Sequence, residues 1–175
     1  NLTIKQGSPS AIAQMVSNGE ADIAIVTERI DDHPELSKLT CDEWNHAVIV
    51  PKEHPLLECM NPLSIEDLAS FPLITYEFAF NQGSSIARAF NKAHLDNPDV
   101  VLSAADTDVL KTYVRLGLGV GLMAKMAFDP EKDADLELVD AAHLFEPSPI
   151  WIAVRSDTYL RGYTYDFIEM FSPKL

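Results

Sequence analysis

The chain has few cations for its length. Its 175 residues include 13 lysine and arginine residues against 27 aspartate and glutamate residues, which gives a formal net charge of −14. A surface that binds the phosphates of nucleic acid or of an anionic membrane needs clustered positive charge. The sequence therefore predicts that this chain binds neither nucleic acid nor a membrane through its own surface.

Cysteine is also scarce, and long apolar runs are missing. Cys41 and Cys59 are too few for a disulfide framework and do not have the spacing of a zinc site. No apolar run is long enough to span a membrane, and the start NLTIKQG lacks the features of a signal peptide. We therefore expect a protein of the reducing cytoplasm. Because the sequence does not begin with Met, we expect it to be a fragment.

The residue patterns of catalysis and metal binding are missing as well. The five histidines lack metal-ligand spacing, and the candidate serines lack the G-x-S-x-G elbow. Cys41 has His46 nearby in sequence, but no third group that would orient the pair is evident. The acidic runs 31–32 and 133–135 are too sparse for a calcium loop, so we predict that both are solvated. We expect no enzyme activity, no metal and no cofactor.

Strand-like and helix-like patterns alternate along the chain, which is typical of an α/β fold. Residues 2–6 alternate as a strand does, and Ser8 then suits the start of a helix. The continuous apolar run 21–26 is typical of a parallel strand covered on both faces. We predict two lobes, each a mostly parallel sheet flanked by helices, joined by two crossing strands. Lobe I is predicted at 1–46 plus 148–175, and lobe II at 47–147.

The most informative stretch is 106–124, DTDVLKTYVRLGLGVGLMA. Asp106 suits a helix start, and Gly117 suits a helix end. Between them, apolar residues recur at helical spacing and predict a buried face of Val109, Leu110, Tyr113, Val114 and Leu116. The glycines at 117, 119 and 121 invite comparison with a dinucleotide-binding loop. Such a loop opens a helix, whereas these glycines close one, so we predict a tight helix-to-strand turn.

Polar residues follow several of the predicted strands, which is where ligands bind in open α/β sheets. They include Ser8, Thr27, Asn81, Gln82 and Thr107. Several lie at predicted helix N-termini, whose free backbone N–H groups suit a small anion. Each residue alone is better explained as a helix cap, but their convergence on one cleft favours a ligand site. Trp44 lies at the predicted lobe junction, as either a packing residue or a wall of that cleft.

The stretch 106–127 reads DTDVLKTYVRLGLGVGLMAKMA. It closely resembles the corresponding segment of the CysB branch of the LysR-type transcription regulators. The resemblance continues through KQGSPSAIAQMVSNGEADIAIVTE, CDEWNHAVIVPKEHPL, FPLITYEFAF and AFNKAHL. These segments follow one another at the family's spacing and cover nearly the whole chain.

The resemblance implies a two-lobed, periplasmic-binding-protein-like effector domain. It also implies that the N-terminal winged helix-turn-helix is absent from this chain, together with the first strand and helix of lobe I. Ser8 and Thr27 match effector-contacting hydroxyls of the family, and Trp44 and Thr107 match positions near the cleft. Residues 81–83 depart from the pattern: Asn81 stands where Thr is frequent, and Gln82 and Gly83 replace Gly-Arg.

By the same resemblance, the expected role is a cytoplasmic sensor that regulates genes of sulfur assimilation and cysteine biosynthesis. The implied effector is a small sulfur metabolite or oxyanion of the sulfate, thiosulfate or acetylserine type. Promoter DNA would bind through the missing N-terminal domain. Effector domains of the family pair side by side, which implies a homodimer of domains and a tetramer of the full-length protein. The alternative from the architecture alone is a periplasmic solute-binding protein for a small anion.

We predict that this chain alone does not bind DNA with useful affinity. Phosphate contacts need clustered cations, and 13 basic residues dispersed among 27 acidic residues do not supply them. A mobility-shift assay at low salt measures this, with the full-length regulator as the positive control. Tight promoter binding by the isolated chain would contradict the prediction.

Overall fold

The structure is a computed structural model that describes residues 2–27, 33–58 and 62–171. Cys59 and the acidic run 31–32 lie outside these ranges. Two compact units are present, one formed by Asn1–Trp44 with Ser148–Leu175 and the other by Asn45–Pro147. The chain therefore passes from one unit to the other twice. The predicted lobe boundaries and the segments thought to be missing stay predictions.

The elements alternate between helix and strand. In chain order they are α1 (Pro9–Ser17), β1 (Ala24–Val26), β2 (Leu36–Trp44), β3 (His46–Pro51), a 3-10 helix (Pro55–Glu58), α2 (Ile65–Ala69), β4 (Leu73–Tyr76), α3 (Ser85–Lys92), β5 (Val100–Ala104), α4 (Thr107–Arg115), β6 (Val120–Ala124), a 3-10 helix (Lys125–Ala127), β7 (Leu136–Asp140), β8 (Ser148–Arg155) and α5 (Gly162–Phe171). None of the helices within the described residues is long and apolar enough to cross a membrane.

The first unit contains a three-stranded sheet of order β1-β8-β2, and both of its strand pairs are antiparallel. The parallel strand predicted at 21–26 is thus wrong in direction, and it is shortened to Ala24–Val26 with Ile25 40% exposed. The strand is also not covered on both faces, because only Ala24 and Val26 are buried. A continuous apolar run carries no information about the direction of a strand. The strand predicted at 2–6 does not form, and Ile4 is 75% exposed. No neighbouring strand in the described part of the chain satisfies its backbone.

The second unit contains a five-stranded sheet of order β5-β4-β6-β3-β7. β4 pairs in parallel with β5 and β6, whereas β3 pairs antiparallel with β6 and β7. The α/β class is confirmed, but the first sheet is antiparallel and the second is mixed, so neither is mostly parallel. β3 lies between β6 and β7 and is buried on both faces, so it carries a continuous apolar run although both of its pairings are antiparallel.

The turn between α4 and β6 is the tight helix-to-strand connection predicted from the glycines. Gly117 ends the helix with a φ of +73°, a left-handed conformation that glycine adopts without strain. At Gly121, a Cβ atom would lie 2.6 Å from a side-chain carbon of Ile49 and 2.8 Å from one of Val114. The absence of a side chain at Gly121 therefore permits close packing of β6 against Val114 of α4 and Ile49 of β3.

The buried face of α4 differs from the predicted one. Leu110 and Val114 are fully buried, but Val109 is 41% and Leu116 is 66% exposed. Lys111 is buried instead, and its ammonium group lies 2.6 Å from the carboxylate of Asp133. The apolar pattern missed this residue because a lysine is buried only where a partner compensates its charge.

Asp133 corrects the prediction that the run 133–135 is solvated. Its carboxylate is buried, and it accepts from Lys111, from Arg115 at 2.7 Å and from the backbone N–H of Asp129 at 2.9 Å. Burial alone would raise the pKa of Asp133, but these three donors outweigh it and hold the pKa below its ordinary value. Asp135, by contrast, is exposed and pairs with Arg115 at 2.8 Å.

We predict that Asp133→Asn destabilises the protein by about 3–5 kcal/mol, because it leaves the buried Lys111 ammonium without a compensating charge. The matched control is Asp135→Asn, which removes an exposed partner of Arg115 and should cost less than about 1 kcal/mol. Urea unfolding followed by circular dichroism gives both values. Equal losses for the two variants would show that Asp133 contributes no more than a surface ion pair.

Candidate functional site

The predicted site residues fall into two sets, one in each unit. Ser8, Thr27 and Trp44 belong to the first unit, and Asn81, Gln82 and Thr107 belong to the second. That the two sets form a single site in a cleft stays a prediction.

In the first unit, Ser8 is the N-cap of α1. Its hydroxyl accepts a hydrogen bond from the backbone N–H of Ala11 at 3.3 Å, and Pro9 occupies the first helical position. The side chain of Ser8 is half-buried. Its hydroxyl proton remains available for donation, because the capping bond uses only a lone pair. Ser8 can thus cap the helix and still donate to a ligand oxygen.

Trp44 and Thr27 are joined directly in the first unit. The indole N–H of Trp44 donates to the carbonyl oxygen of Thr27 at 3.0 Å. Only 5% of Trp44 is exposed, which favours the interpretation of Trp44 as a packing residue over that of a cleft wall. The bond fixes the backbone of Thr27 just after β1 and leaves its half-buried side-chain hydroxyl uncommitted to that contact.

In the second unit, strand pairing gathers the predicted residues at one edge of the sheet. β4 and β5 are parallel, with Tyr76 in register with Ala104. The N–H of Glu77 donates to the Ala104 carbonyl at 3.3 Å, so the chain leaves both strands at the same place. The loop that carries Asn81 and Gln82 and the helix start that carries Thr107 therefore share this carboxyl edge.

The loop 77–84 is held by its own hydrogen bonds. Ser84 caps α3 by accepting from the N–H of Ala87 at 3.0 Å, and it donates to the Ala79 carbonyl at 2.5 Å. Its hydroxyl is fully engaged, which makes Ser84 a structural residue. Asn81 and Gln82 are exposed, so their amide groups project from a fixed loop and can reach a ligand.

Tyr76 is a residue of this edge that sequence reasoning missed. Its hydroxyl oxygen lies 2.9 Å from the hydroxyl oxygen of Thr107 and 3.5 Å from the backbone nitrogen of Ala124. The other candidate residues were predicted because they follow a strand, whereas Tyr76 is the last residue of β4 itself. One signal could have found it, since a tyrosine in a buried strand needs a partner for its hydroxyl.

The charged side chains near this edge do not favour an anionic ligand held by a lysine or an arginine. Asp106 caps α4 by accepting from the N–H groups of Asp108 and Val109, at 2.9 and 3.2 Å, and so places a carboxylate at the helix N-terminus. Arg88 pairs with Glu146 at 2.7 Å and also donates to the Gly83 carbonyl. A ligand at this edge would therefore be held mainly by neutral donors.

A concave region of about 460 Å³ lies beside the loop 77–84. Gln82, Gly83, Arg88 and Asn91 are among the residues that line it. This region thus contains Gln82 and Gly83, which depart from the family's Gly-Arg pattern, together with Arg88. Within the described ranges, no group of three or more His, Cys, Asp or Glu side chains could hold a metal ion.

His46 begins β3 at the same edge, in register with Ala124. The ring is 3% exposed and packs against Phe145, with the ring centroids 5.1 Å apart. Burial disfavours the charged imidazolium and lowers the pKa of His46 from 6.5 to about 4. The residue is therefore neutral at physiological pH.

Comparisons with known proteins identify relatives of the whole chain. The family described as LysR substrate binding domain matches residues 1–175. The HTH-type transcriptional regulator CysB of Haemophilus influenzae is 50% identical over 175 residues, covering 100% of this chain and 53% of the relative. CysB of Burkholderia cenocepacia is 49% identical over 175 residues, covering 100% and 55%. SsuR of that organism is 48% identical over 175 residues, covering 100% and 56%.

The chain thus spans just over half the length of these curated relatives. The relatives are transcriptional regulators, which confirms the resemblance to the CysB branch and the expectation that the chain is not an enzyme. They do not support the alternative of a periplasmic solute-binding protein.

Solved structures agree on the fold. The cofactor-binding domain of the Cbl transcriptional regulator superposes with a TM-score of 0.87 at 39% identity, covering 98% of this chain and 74% of that one. The effector-binding domain of QuiR in complex with shikimate has a TM-score of 0.78 at 17% identity, covering 93% and 76%. The second likeness supports the α/β architecture alone.

We predict that His46 makes the protein less stable as the pH falls from 6.5 to about 4. Folded His46 stays neutral down to about pH 4, whereas the unfolded chain takes up a proton near pH 6.5. The unfolded state therefore binds more protons in this window, and the free energy of unfolding decreases by roughly 3 kcal/mol at most.

Urea unfolding at pH 7 and at pH 4.5 measures this loss, which should be smaller in His46→Gln. The control is His94→Asn, since His94 is exposed and asparagine tolerates its φ of +59°. An unchanged pH dependence in His46→Gln would contradict the assignment.

Proposed function

The chain belongs to the family of LysR substrate-binding domains, and from this membership we propose that it is the ligand-sensing domain of a regulator of sulfur assimilation and cysteine biosynthesis genes. The supporting observation is an identity of 49–50% over the whole chain to two regulators named CysB. An identity of this size, without interruption over all elements of both units, favours a shared role as well as a shared fold.

The rest of the regulator is also part of the proposal. Because the relatives are nearly twice as long, an N-terminal domain would bind promoter DNA, and this chain would not. Its 13 basic residues against 27 acidic ones agree with a chain that does not itself contact the phosphates of DNA. We propose a cytoplasmic protein that forms homo-oligomers through its effector domains.

The proposed effector is a small sulfur metabolite or oxyanion of the sulfate, thiosulfate or acetylserine type. Neutral donors bind it: the hydroxyls of Ser8, Thr27 and Thr107 and the amides of Asn81 and Gln82. Ser8 retains a donatable proton beyond its cap, and Asn81 is exposed on a fixed loop. Trp44 contributes indirectly, because its indole holds the backbone of Thr27. Oxyanions accept several hydrogen bonds at once, and a set of fixed donors matches this demand.

We predict that Thr27→Ala and Asn81→Ala each weaken effector binding by the full-length protein. The loss should be about 0.5–1.5 kcal/mol for a neutral hydrogen bond and about 1.5–3 kcal/mol for a charge-assisted one. Titration calorimetry with sulfate, thiosulfate, adenylylated sulfate, O-acetylserine and N-acetylserine measures the affinity, and the melting temperature reports stability.

The matched controls are Thr158→Ala in the first unit and Thr112→Ala in the second. Both threonines are exposed, and their hydroxyls bond to Asp157 and to the Asp108 carbonyl, respectively. These variants should leave affinity unchanged. If Thr27→Ala and Asn81→Ala lower the melting temperature but leave the affinity for every metabolite intact, these residues are structural and the site assignment is wrong.

A further inference from the structure

We propose that Tyr76 is the positioning residue of the second unit's part of the ligand site, where it directs the hydroxyl proton of Thr107 toward a bound oxyanion. The proposal rests on the proposed function, because it takes Thr107 to be one of the ligand donors. It adds a residue that does not itself touch the ligand, and it restricts the kind of ligand atom that Thr107 can bind.

The position of Tyr76 in the sheet makes it a junction of three segments. β4 lies between its two parallel neighbours β5 and β6. Thr107 begins the helix that follows β5, and Ala124 is the last residue of β6. The hydroxyl of Tyr76 contacts both, at 2.9 Å to Thr107 and 3.5 Å to the Ala124 nitrogen. One phenol group at the end of β4 thus lies against both the start of α4 and the end of β6.

The phenol group has little freedom to move. Tyr76 is 8% exposed, and its ring stacks on that of Phe78 with a centroid distance of 5.1 Å and an interplanar angle of 3°. A tyrosine has only two side-chain torsions, so burial and stacking together fix where its hydroxyl lies. The hydroxyl of Thr107 is half-buried and therefore meets a stationary partner.

Either hydroxyl could donate in the contact between Tyr76 and Thr107, and the chemistry of the two groups favours one direction. The backbone N–H of Ala124 can only donate, so it occupies a lone pair of the Tyr76 oxygen. The phenol proton is then free to be donated to Thr107. A phenol is a better hydrogen-bond donor than an aliphatic hydroxyl, because the phenol O–H group is the more acidic of the two. The favoured order is Ala124 N–H to Tyr76 O–H to Thr107 Oγ1.

This order leaves the proton of Thr107 for an acceptor outside the protein. Each bond in such a chain polarises the next, so the hydroxyl of the half-buried Thr107 becomes a stronger donor than that of an isolated threonine. An oxygen of sulfate, of thiosulfate or of a carboxylate accepts this proton, whereas an ammonium group has no lone pair to do so. The second unit's part of the site therefore selects an acceptor oxygen of the effector over a cationic group, and a charged oxygen accepts the strongest bond.

The test is a double-mutant cycle in the full-length protein, with affinities for sodium sulfate and sodium thiosulfate measured by titration calorimetry. Tyr76→Phe keeps the ring and removes the hydroxyl, and it should weaken binding by about 3- to 10-fold. In the Thr107→Ala background, Tyr76→Phe should have no further effect, because the hydroxyl that it positions is already gone. Thr107→Ser keeps a hydroxyl and should restore the effect of Tyr76→Phe.

The matched control is Tyr113→Phe, which removes a phenol hydroxyl from a half-buried tyrosine on α4 and should leave affinity unchanged. Melting temperatures of all variants separate stability from binding. A merely structural Tyr76 would weaken binding equally in both backgrounds, and that result would overturn the inference.

The two proposals fail in different ways. If Thr27→Ala and Asn81→Ala weaken binding but Thr107→Ala or Tyr76→Phe does not, the inference about Tyr76 is wrong and the proposed function stands. If none of these variants changes the affinity, or if the wild-type protein binds neither anion, the proposed oxyanion site itself is wrong.

Discussion

The parallel pairing of β4 with β5 and β6 is the constraint on which the second unit depends. It brings the ends of three strands to one edge, where Tyr76, Ala104 and Ala124 lie beside each other. The interior is packed to match, since the buried hydroxyl of Thr75 donates to the Leu122 carbonyl at 2.8 Å. Without this pairing, the loop after β4 and the start of α4 would not lie at the same edge of the sheet. Their hydrogen-bond donors could then not act on one ligand.

The position of α4 is fixed at its other end by buried charge. Lys111 and Arg115 both pair with Asp133, at 2.6 and 2.7 Å, and the Asp129 N–H donates a third hydrogen bond to that carboxylate. Burying ions costs free energy, and only complete pairing of this kind offsets the cost. These contacts fix the orientation of α4, because a small rotation of the helix would break several charged contacts at once. The helix start that carries Thr107 is thereby held in place.

What the sequence could predict was set by the range of the interactions. The start of α1 at Ser8 was predictable because the N–H that its hydroxyl accepts from, that of Ala11, lies only three residues away. The turn at Gly117 was predictable for the same reason. The burial of Asp133 depends on a lysine 22 residues away, and the contact of Tyr76 with Thr107 spans 31 residues. Periodicity carries no information about such pairs, nor about the direction in which a buried strand runs.

A chain with a net charge of −14 faces a physical difficulty in binding an anion. Distant charges matter little, since salt screens them within a Debye length of roughly 8–10 Å. The local difficulty is Asp106, whose carboxylate caps α4 and offsets the positive end of the helix dipole. The helix terminus alone therefore cannot attract an oxyanion at this edge. Binding must come from donors whose protons already point at the ligand, and this makes the orientation of the Thr107 hydroxyl more important than the charge around it.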